Sequence, residues 1–426
     1  MHIFRSILTR KLKNHITKGR LDIFFPDGHR ESFGDKTANP IKIAITSHKW
    51  LRAIVLNPEL QLGEAYMDSG LVLKQGDLYG LLELFWKNIM VDPNNGSTPS
   101  SFIHMLMRSI DQFNPKGRAA KNVAHHYDIG NALYQLFLDP DMQYSCAYYP
   151  DKKTSLQEAQ KLKKDHIARK LNLKKGNRVL DIGCGWGGMA LHLARFEDTQ
   201  VHGVTLSQEQ LQMAKARAER SGLKSRVTFD YQDYRNLDKR YDRIVSVGML
   251  EHVGAPHYKQ YFNQIARLLD EDGVALIHTI GRTDGPGATS QWIDRHIFPG
   301  GYIPALSELL PAIEKAGLQI LDIEVLRLHY AETLKDWRAN FHKNYDKILA
   351  LYDERFMRMW EFYLVCSELS FRYGVHNVFQ LQLGKKQDAV PLTRDYLYEK
   401  EIPDSMLQFI PRPRPNHVHI PARFDN

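Results

Sequence analysis

Short apolar segments alternate with amphipathic ones through the middle of the chain, and this alternation constrains the fold more than any other feature. Five apolar runs have the length of β-strands, at residues 179–182, 200–205, 227–231, 243–247 and 274–279. Helical periodicity follows two of these runs, at residues 207–220 and 258–269. Strands that alternate with helices usually pair in parallel, so the pattern predicts an α/β fold with a doubly wound sheet. Ligands of such sheets bind beyond the carboxyl ends of the strands.

A glycine-rich turn follows the first predicted strand. Gly183, Gly185 and Gly188 satisfy the GxGxxG spacing of dinucleotide-binding turns, which is a weak signal when it stands alone. Asp181 precedes the first glycine by two residues, and this arrangement resembles the S-adenosylmethionine turn of the Rossmann-like class I methyltransferases. The second strand ends at Thr205 instead of the acid that usually binds a ribose, which counts against NAD. The alternative is an ordinary glycine-rich turn.

The length of the chain predicts two folded units, because 426 residues exceed the size of most single domains. Residues 1–95 predict a small mixed α/β accessory domain. The following segment is polar and rich in turn residues, and we expect a linker at residues 96–120. Residues 121–426 then form a second, larger domain that contains the predicted sheet.

Several further elements are predicted from local pattern. Ser155 and Glu158 predict a capping box at the start of a helix. Long helical stretches rich in aromatic residues are predicted between residues 286 and 385. These aromatic side chains either line a ligand tunnel or form ordinary core. In the accessory domain we predict strands at 21–25 and 41–45 and a helix at 78–90.

The charge of the chain predicts an anionic partner, since its net charge is +8 and its pI is about 9.1. The first twenty residues contain six basic residues and no acid, and their apolar residues recur at helical spacing. Such a basic amphipathic helix either lies on an anionic membrane surface or packs its apolar stripe on its own domain. Nucleic acid is the other anionic partner that charge alone allows.

The sequence contains no apolar run long enough for a transmembrane helix and no signal-peptide core, so we expect a cytoplasmic protein. The three cysteines are Cys146, Cys184 and Cys366. They are odd in number, distant in sequence and free of CxxC spacing. We therefore expect neither a disulfide framework nor a metal site.

Eight stretches in a fixed order carry a family resemblance. They are residues 126–131, 142–148, 180–188, 203–207, 251–254, 278–281, 297–301 and 329–330. With them the sequence resembles the cyclopropane-fatty-acyl-phospholipid synthases and the related mycolic acid cyclopropane synthases, over about residues 120–385. The N-terminal unit resembles the extra domain of the bacterial phospholipid enzymes, most clearly at residues 63–68.

This resemblance implies that S-adenosylmethionine is the co-substrate. The residues that it places around that molecule are Tyr144, Ser145, Asp181, Gly183, Gly185, Thr205, Leu206, Ser207, Gln210, Gln232 and Asp233. The mycolic acid enzymes have a Trp-Glu pair where this chain has Gln232 and Asp233, so this contact departs from the family pattern.

The resemblance also implies a bound bicarbonate ion that acts as the base. Its site is implied at Cys146, Glu251, His278, Ile280 and Tyr330. Ile280 can contribute only its backbone, and Glu251 requires a proton shared with the bicarbonate, because two like charges repel. Cys366 is a further catalytic candidate. For each of these residues the alternative is a structural role in the core or at a helix end.

The implied reaction transfers a methylene group to the cis double bond of an unsaturated phospholipid acyl chain. The implied setting is the inner face of a membrane, with a peripheral homodimer and no nucleic acid. A fatty-acid methyltransferase that leaves a methyl branch and a small-molecule N-methyltransferase are the alternatives within the fold. An RNA-binding protein and a non-catalytic lipid-binding module are alternatives from other classes.

Overall fold

The computed structural model of the protein describes residues 2–90, 130–196 and 198–398. The predicted linker, motif residues 126–129 and the tail beyond residue 398 lie outside this part of the chain.

The N-terminal unit is built on a four-stranded sheet with the strand order β2-β1-β3-β4. Its strands are β1 (Arg20–Phe24), β2 (Arg30–Gly34), β3 (Pro40–Ile45) and β4 (Leu71–Gln75). Its helices are α1 (His2–His15), α2 (His48–Leu56), α3 (Pro58–Met67) and α4 (Leu78–Phe85), which continues as a wider turn over Trp86–Met90. The predictions for β1, β3 and α4 are confirmed, whereas β2 and β4 were not predicted.

The packing of helix α1 distinguishes between the two interpretations of its apolar stripe, membrane binding and packing on its own domain. Leu12 is buried, and Phe4 and Leu8 pack against the core of the N-terminal unit. Arg10 and Lys11 on the opposite side are exposed. Most of the stripe therefore packs on its own domain, although Ile3 is 64% exposed, and the basic residues Arg10, Lys11 and Lys13 face solvent.

The second sheet has seven strands in the order β10-β11-β9-β8-β5-β6-β7. The strands are β5 (Arg178–Ile182), β6 (Gln200–Thr205), β7 (Val227–Tyr231), β8 (Tyr241–Val247), β9 (Leu269–Arg282), β10 (Gln319–Val325) and β11 (His376–Gly384). Strands β5 to β9 pair in parallel, and β11 is antiparallel to both β9 and β10. The predicted α/β class with a doubly wound, mostly parallel sheet is confirmed.

The described residues beyond the N-terminal unit also form ten α-helices. Those beyond the N-terminal unit are α5 (Asn131–Phe137), α6 (Leu156–Lys170), α7 (Gly188–Leu193), α8 (Gln208–Arg220), α9 (Tyr258–Leu268), α10 (Gln291–His296), α11 (Leu306–Lys315), α12 (His329–Lys343), α13 (Tyr345–Leu349) and α14 (Glu354–Arg372). Ser155 caps α6 as predicted, because its side chain accepts a hydrogen bond from the Glu158 N–H. Within the described ranges, none of the helices is long and apolar enough to cross a membrane.

Helices α12 and α14 pack around the largest aromatic core of the molecule. Trp292, Trp337 and Trp360 are buried in it. The predicted helical stretches between residues 286 and 385 are thus confirmed in α12 and α14, but the same interval also supplies strands β10 and β11. Most of the aromatic residues there are core residues.

Helix α3 joins the N-terminal unit to this aromatic core. Gly63 lies so close to Trp292 that a Cβ atom would come within 2.4 Å of the indole nitrogen. Beside it, the Tyr66 hydroxyl donates to Glu361 at 2.7 Å, and Glu64 forms an ion pair with Arg295 at 3.1 Å. The accessory unit is therefore fixed to the helices that flank the second sheet.

Candidate active site

A cavity opens at the carboxyl ends of β5, β6, β7 and β8, where a doubly wound sheet binds its ligand. Ten of the eleven predicted cofactor residues line it: Tyr144, Ser145, Asp181, Gly183, Gly185, Thr205, Leu206, Gln210, Gln232 and Asp233. Ser207 is the exception. Its hydroxyl accepts a hydrogen bond from the Gln210 N–H and caps helix α8, so the structure assigns it a structural role.

The turn after β5 brings the backbone up to the cavity. Gly183 and Gly185 have φ angles of +79° and +53°, a region that side chains with a Cβ rarely adopt. A Cβ atom at Gly185 would meet no neighbouring atom within 4 Å. Glycine is therefore favoured at this position by its positive φ angle and not by lack of space. The N–H of Gly183 donates to the Val204 carbonyl at 2.9 Å, which ties the turn to β6.

Asp181 is buried at the base of this turn. Burial raises its pKa to about 7, against a backbone hydrogen bond from Ala190 and the charge of Lys163, which both lower it. Its Oδ2 atom has no hydrogen-bond partner among the described residues. A buried acceptor without a partner is costly, so this carboxyl is suited to a ligand that brings a donor or a positive charge.

Tyr144 forms the opposite wall of the cavity. Its ring stacks on Trp337 at a centroid distance of 5.1 Å, and its hydroxyl lies 2.7 Å from that of Tyr363. Asp233, which also lines the cavity, forms an ion pair with Arg235 at 2.6 Å. The acid predicted after the third strand therefore lies at the cavity, with its charge balanced by a neighbouring guanidinium.

The loop after β8 also lines the cavity, and sequence reasoning did not assign its residues to the cofactor site. Gly248, Met249, His252 and Val253 contribute to the wall. Burial lowers the pKa of His252 to about 4, so its ring is neutral near neutral pH. The sequence did contain a signal for this loop. Residues 251–254 form one of the motif stretches, and the fourth parallel strand ends at the same edge of the sheet as the other three.

Glu251 lies in a short turn of this loop and is buried. Its Oε1 atom accepts a hydrogen bond of 2.6 Å from the Ile280 N–H, which offsets only part of the cost of burial. Burial raises the pKa of Glu251 to about 7. The other oxygen, Oε2, has no hydrogen-bond partner among the described residues.

His278 lies two residues before Ile280 on β9 and is also buried. Its Nδ1 atom lies 3.1 Å from Nε2 of Gln380, the residue directly opposite on β11. Because an amide nitrogen can only donate, Nδ1 accepts and the proton of the neutral ring sits on Nε2. Burial lowers the pKa of His278 well below its usual range, which keeps the ring neutral.

Cys146 and Tyr330 belong to one hydrophobic cluster, and Ile280 packs against that cluster. Burial raises the pKa of the Cys146 thiol, so it remains protonated. The structure thus joins Glu251 and Ile280 by a hydrogen bond and places Ile280, Cys146 and Tyr330 around one core. Cys366 packs against the same cluster, and burial raises its pKa to about 12.

Comparison with known proteins shows which family the chain belongs to. The model of the family described as mycolic acid cyclopropane synthetase matches residues 114–381. The chain belongs to this family. Residues 8–90 match a separate family described as a domain of unknown function, DUF7884. The resemblance inferred from the sequence is confirmed.

Two curated relatives and one solved structure illustrate the relationship. The chain is 37% identical to the cyclopropane-fatty-acyl-phospholipid synthase of Escherichia coli K12 over 336 residues, 78% of this chain and 85% of that protein. It is 42% identical to a probable fatty acid methyltransferase of Pseudomonas putida over 291 residues, 66% of this chain and 74% of that protein. A crystal structure of the mycolic acid cyclopropane synthase CmaA1, complexed with SAH and CTAB, matches with 32% identity and a TM-score of 0.60. The match covers 64% of this chain and 99% of the chain in that crystal structure. These relatives are S-adenosylmethionine-dependent transferases of the same fold.

Proposed function

We propose that the chain is a cyclopropane-fatty-acyl-phospholipid synthase, which adds a methylene group across the cis double bond of a phospholipid acyl chain. One observation carries this proposal. Glu251, whose neighbours Met249 and His252 line the cavity, is buried with one oxygen fixed by the Ile280 N–H and the other without a partner among the described residues. A small hydrogen-bonding base can be held there away from water. The 37% identity to the Escherichia coli synthase supports the substrate class.

The cavity residues fit S-adenosylmethionine. The backbone of Gly183 and Gly185 lies close enough for the amino-acid part, and the unpartnered oxygen of Asp181 can accept from its ammonium group. Thr205, Leu206 and Gln210 would lie along the ribose side and Gln232 and Asp233 along the adenine. When bound, this molecule supplies an electrophilic methyl group.

Methyl transfer to an alkene leaves a carbocation on the acyl chain. Ring closure follows when a proton leaves the new methyl group, because its C–H electron pair then forms the second carbon–carbon bond. The base need not be strong, but it must be placed accurately and protected from water, which would trap the cation. The buried surroundings of Glu251, His278 and Cys146 provide such protection.

Bicarbonate is the base that these residues suit. Its O–H group can donate to Oε2 of Glu251, and its anionic oxygens can accept from the Nε2–H of His278 and from Tyr330. When bound there, it would supply the base for the methyl proton, and Glu251, His278 and Tyr330 would hold it in place. Ile280 acts indirectly in this arrangement, since its N–H orients Glu251 at 2.6 Å.

The accessory domain at residues 1–95 and the catalytic domain at 121–426, joined by a linker at 96–120, form the proposed organisation. The exposed basic side of α1 would rest on anionic headgroups at the inner face of the membrane. The enzyme would then act as a peripheral homodimer on membrane phospholipids. Sedimentation of the enzyme with anionic but not with neutral vesicles tests the membrane part, and sedimentation equilibrium tests the dimer.

Product analysis tests the reaction. The purified chain is incubated with S-adenosylmethionine, bicarbonate and vesicles of an unsaturated anionic phospholipid. The released fatty acids are then examined by mass spectrometry and proton NMR. We expect a mass gain of one CH2, loss of the vinyl protons and new high-field ring protons. A mass gain with a retained alkene or a methyl branch would instead identify a fatty-acid methyltransferase.

That second function has a specific observation in its favour, the 42% identity to the probable fatty acid methyltransferase of Pseudomonas putida. Both reactions begin with the same methyl transfer and differ in how the cation is resolved.

A further inference from the structure

Helix α6 presents two buried polar side chains, one turn apart, to the loop at residues 143–146. Gln160 donates through Nε2 to the backbone carbonyls of Gln143 and Ser145, at 3.2 and 2.9 Å. Lys163 donates through Nζ to the side-chain oxygens of the same two residues, both at 2.8 Å. Both Gln160 and Lys163 have no exposed surface. One face of a single helix therefore holds this loop by four hydrogen bonds.

The loop serves both halves of the active site. Tyr144 and Ser145 lie on the wall of the cofactor cavity, whereas Cys146 is part of the cluster at the proposed anion site. A shift of this loop would displace groups that contact S-adenosylmethionine and groups that contact the base. Its position consequently depends on the side chains of α6.

The charge of Lys163 is unusual for so buried a side chain. Its two acceptors are an amide oxygen and a hydroxyl oxygen, and neither neutralises an ammonium group. Burial lowers the pKa of Lys163 to about 7. Among the charged groups that face it, Asp139 and Asp141 raise that pKa, and Lys164 lowers it.

The positive charge of Lys163 also acts on three groups of the candidate site. It opposes the rise that burial causes in the pKa of Asp181 and of Cys146, and it adds to the fall in the pKa of His278. Asp181 lies below the cofactor turn, and the other two lie at the proposed anion site. A positive charge among them favours a bound anion, because little water is present to screen it.

We propose that Lys163 is a positioning residue of this active site. It holds the loop at residues 143–146 in its binding conformation, and its ammonium group supplies the positive potential that retains the anion near Cys146 and His278. The anion part rests on the proposed function, whereas the loop part concerns the cofactor cavity alone.

Two variants of the full-length chain separate the loop part from the charge part. Gln160→Leu removes two of the hydrogen bonds and no charge, while Lys163→Met removes the other two and the charge. Both should weaken the binding of S-adenosylhomocysteine, measured by calorimetry, by about tenfold, since each loses two buried hydrogen bonds. Lys163→Met should in addition raise the bicarbonate concentration for half-maximal turnover by about tenfold, and Gln160→Leu should not.

Lys161→Met is the matched control, because this lysine lies on the same helix but is exposed. It should leave both quantities unchanged. Lys163→Gln is the second variant, should Lys163→Met fold poorly. It keeps a donor without the charge, so S-adenosylhomocysteine should bind almost as in the wild type while the bicarbonate requirement rises.

The proposal is wrong if Lys163→Met lowers only the melting temperature and leaves both binding quantities at wild-type values. The charge part is wrong if wild-type turnover does not depend on bicarbonate. A wild-type enzyme that makes no cyclopropane product contradicts the proposed function, but calorimetry with S-adenosylhomocysteine still decides the loop part.

Discussion

The Ile280 N–H donates a 2.6 Å hydrogen bond to Oε1 of Glu251, which joins the end of strand β9 to the loop after β8. This bond fixes the orientation of a buried carboxyl and leaves its second oxygen free of protein partners within the described ranges. Two strands that are adjacent in the sheet thus fix a single hydrogen-bond acceptor in the loop whose Met249 and His252 line the cavity.

The first prediction concerns this acceptor. Gln at position 251 keeps an oxygen for the Ile280 N–H but replaces the second oxygen by an NH2 group, which cannot accept from bicarbonate. We expect Glu251→Gln to lower kcat by about 10²-fold or more, in the range of lost acid–base groups. Calorimetry should show unchanged S-adenosylhomocysteine binding. Wild-type turnover by this variant would show that Glu251 does not hold the base.

The second prediction concerns pH and stability. The folded pKa of Glu251 is about 7, above its usual value of 4.5. The folded state therefore binds the proton more tightly, and this stabilisation is complete below the unfolded pKa and lost as pH rises through about 7. The shift corresponds to at most about 3 kcal/mol.

Glu251→Gln should consequently be more stable than the wild type near about pH 8 and nearly equal to it near about pH 5. Denaturant unfolding at both pH values measures the difference. Asp181, whose pKa is also raised to about 7, is unchanged in both proteins and does not affect the comparison. Equal stability at the higher pH would contradict the assigned burial cost.

The third prediction concerns the tautomer of His278. Gln380 donates to Nδ1, which leaves the proton on Nε2. Gln380→Glu would offer an acceptor instead and move the ring proton to Nδ1, so Nε2 could no longer donate to an anion. We expect Gln380→Glu to lose more activity than Gln380→Leu, which removes the donor without imposing the other tautomer. Nitrogen NMR of the imidazole should show the change of tautomer, and an unchanged spectrum would contradict it.

Much of the central fold follows from local sequence. The parallel strands and the Ser155 cap were predicted because each depends on short-range periodicity or on a single side chain. Strands β10 and β11 were missed because β11 pairs with β10 across residues 326–375 and with β9 across residues 283–375. A buried strand such as β11 beside aromatic helices has no local pattern that distinguishes it from them.

The candidate site also combines residues that local sequence predicts with residues that only the three-dimensional fold brings together. Glycines and an acid at the end of a strand predicted the cavity, whereas His252 and Met249 enter it through the geometry of neighbouring strand ends. Ser207 differs from these residues, since its motif position implies a ligand contact, whereas its hydroxyl caps α8 and it does not line the cavity. Lys163 could not be found from sequence, because helical spacing shows the face of a residue but not its burial.

The fourth prediction concerns the contact between the N-terminal unit and the catalytic core. Alanine at a helical glycine normally stabilises a protein by about 1 kcal/mol. At Gly63 the new methyl group would lie 2.4 Å from Trp292 Nε1 and 2.9 Å from Phe362 Cε1. Overpacking of this kind costs about 1–3 kcal/mol, so we expect net destabilisation. A double-mutant cycle with Trp292→Leu should show strong coupling, and additive effects would argue against the overlap.

The fifth prediction concerns Cys366, the catalytic candidate on helix α14. A thiol acts as a nucleophile or base in its deprotonated form, and burial raises the pKa of Cys366 to about 12. Near neutral pH the thiolate fraction is therefore negligible, and the side chain packs against the aromatic core as a small apolar group.

We expect Cys366→Ala to keep most of the turnover and to lose about 1 kcal/mol of stability through the small cavity that it leaves. Cys146→Ala is the comparison, since its thiol is also protonated but lies on the loop that Lys163 holds. Its removal should raise the bicarbonate requirement, whereas removal of Cys366 should not. Turnover at saturating bicarbonate, corrected for the folded fraction, distinguishes the two. A loss of more than about tenfold in Cys366→Ala, with S-adenosylhomocysteine binding unchanged, would restore Cys366 to the catalytic candidates.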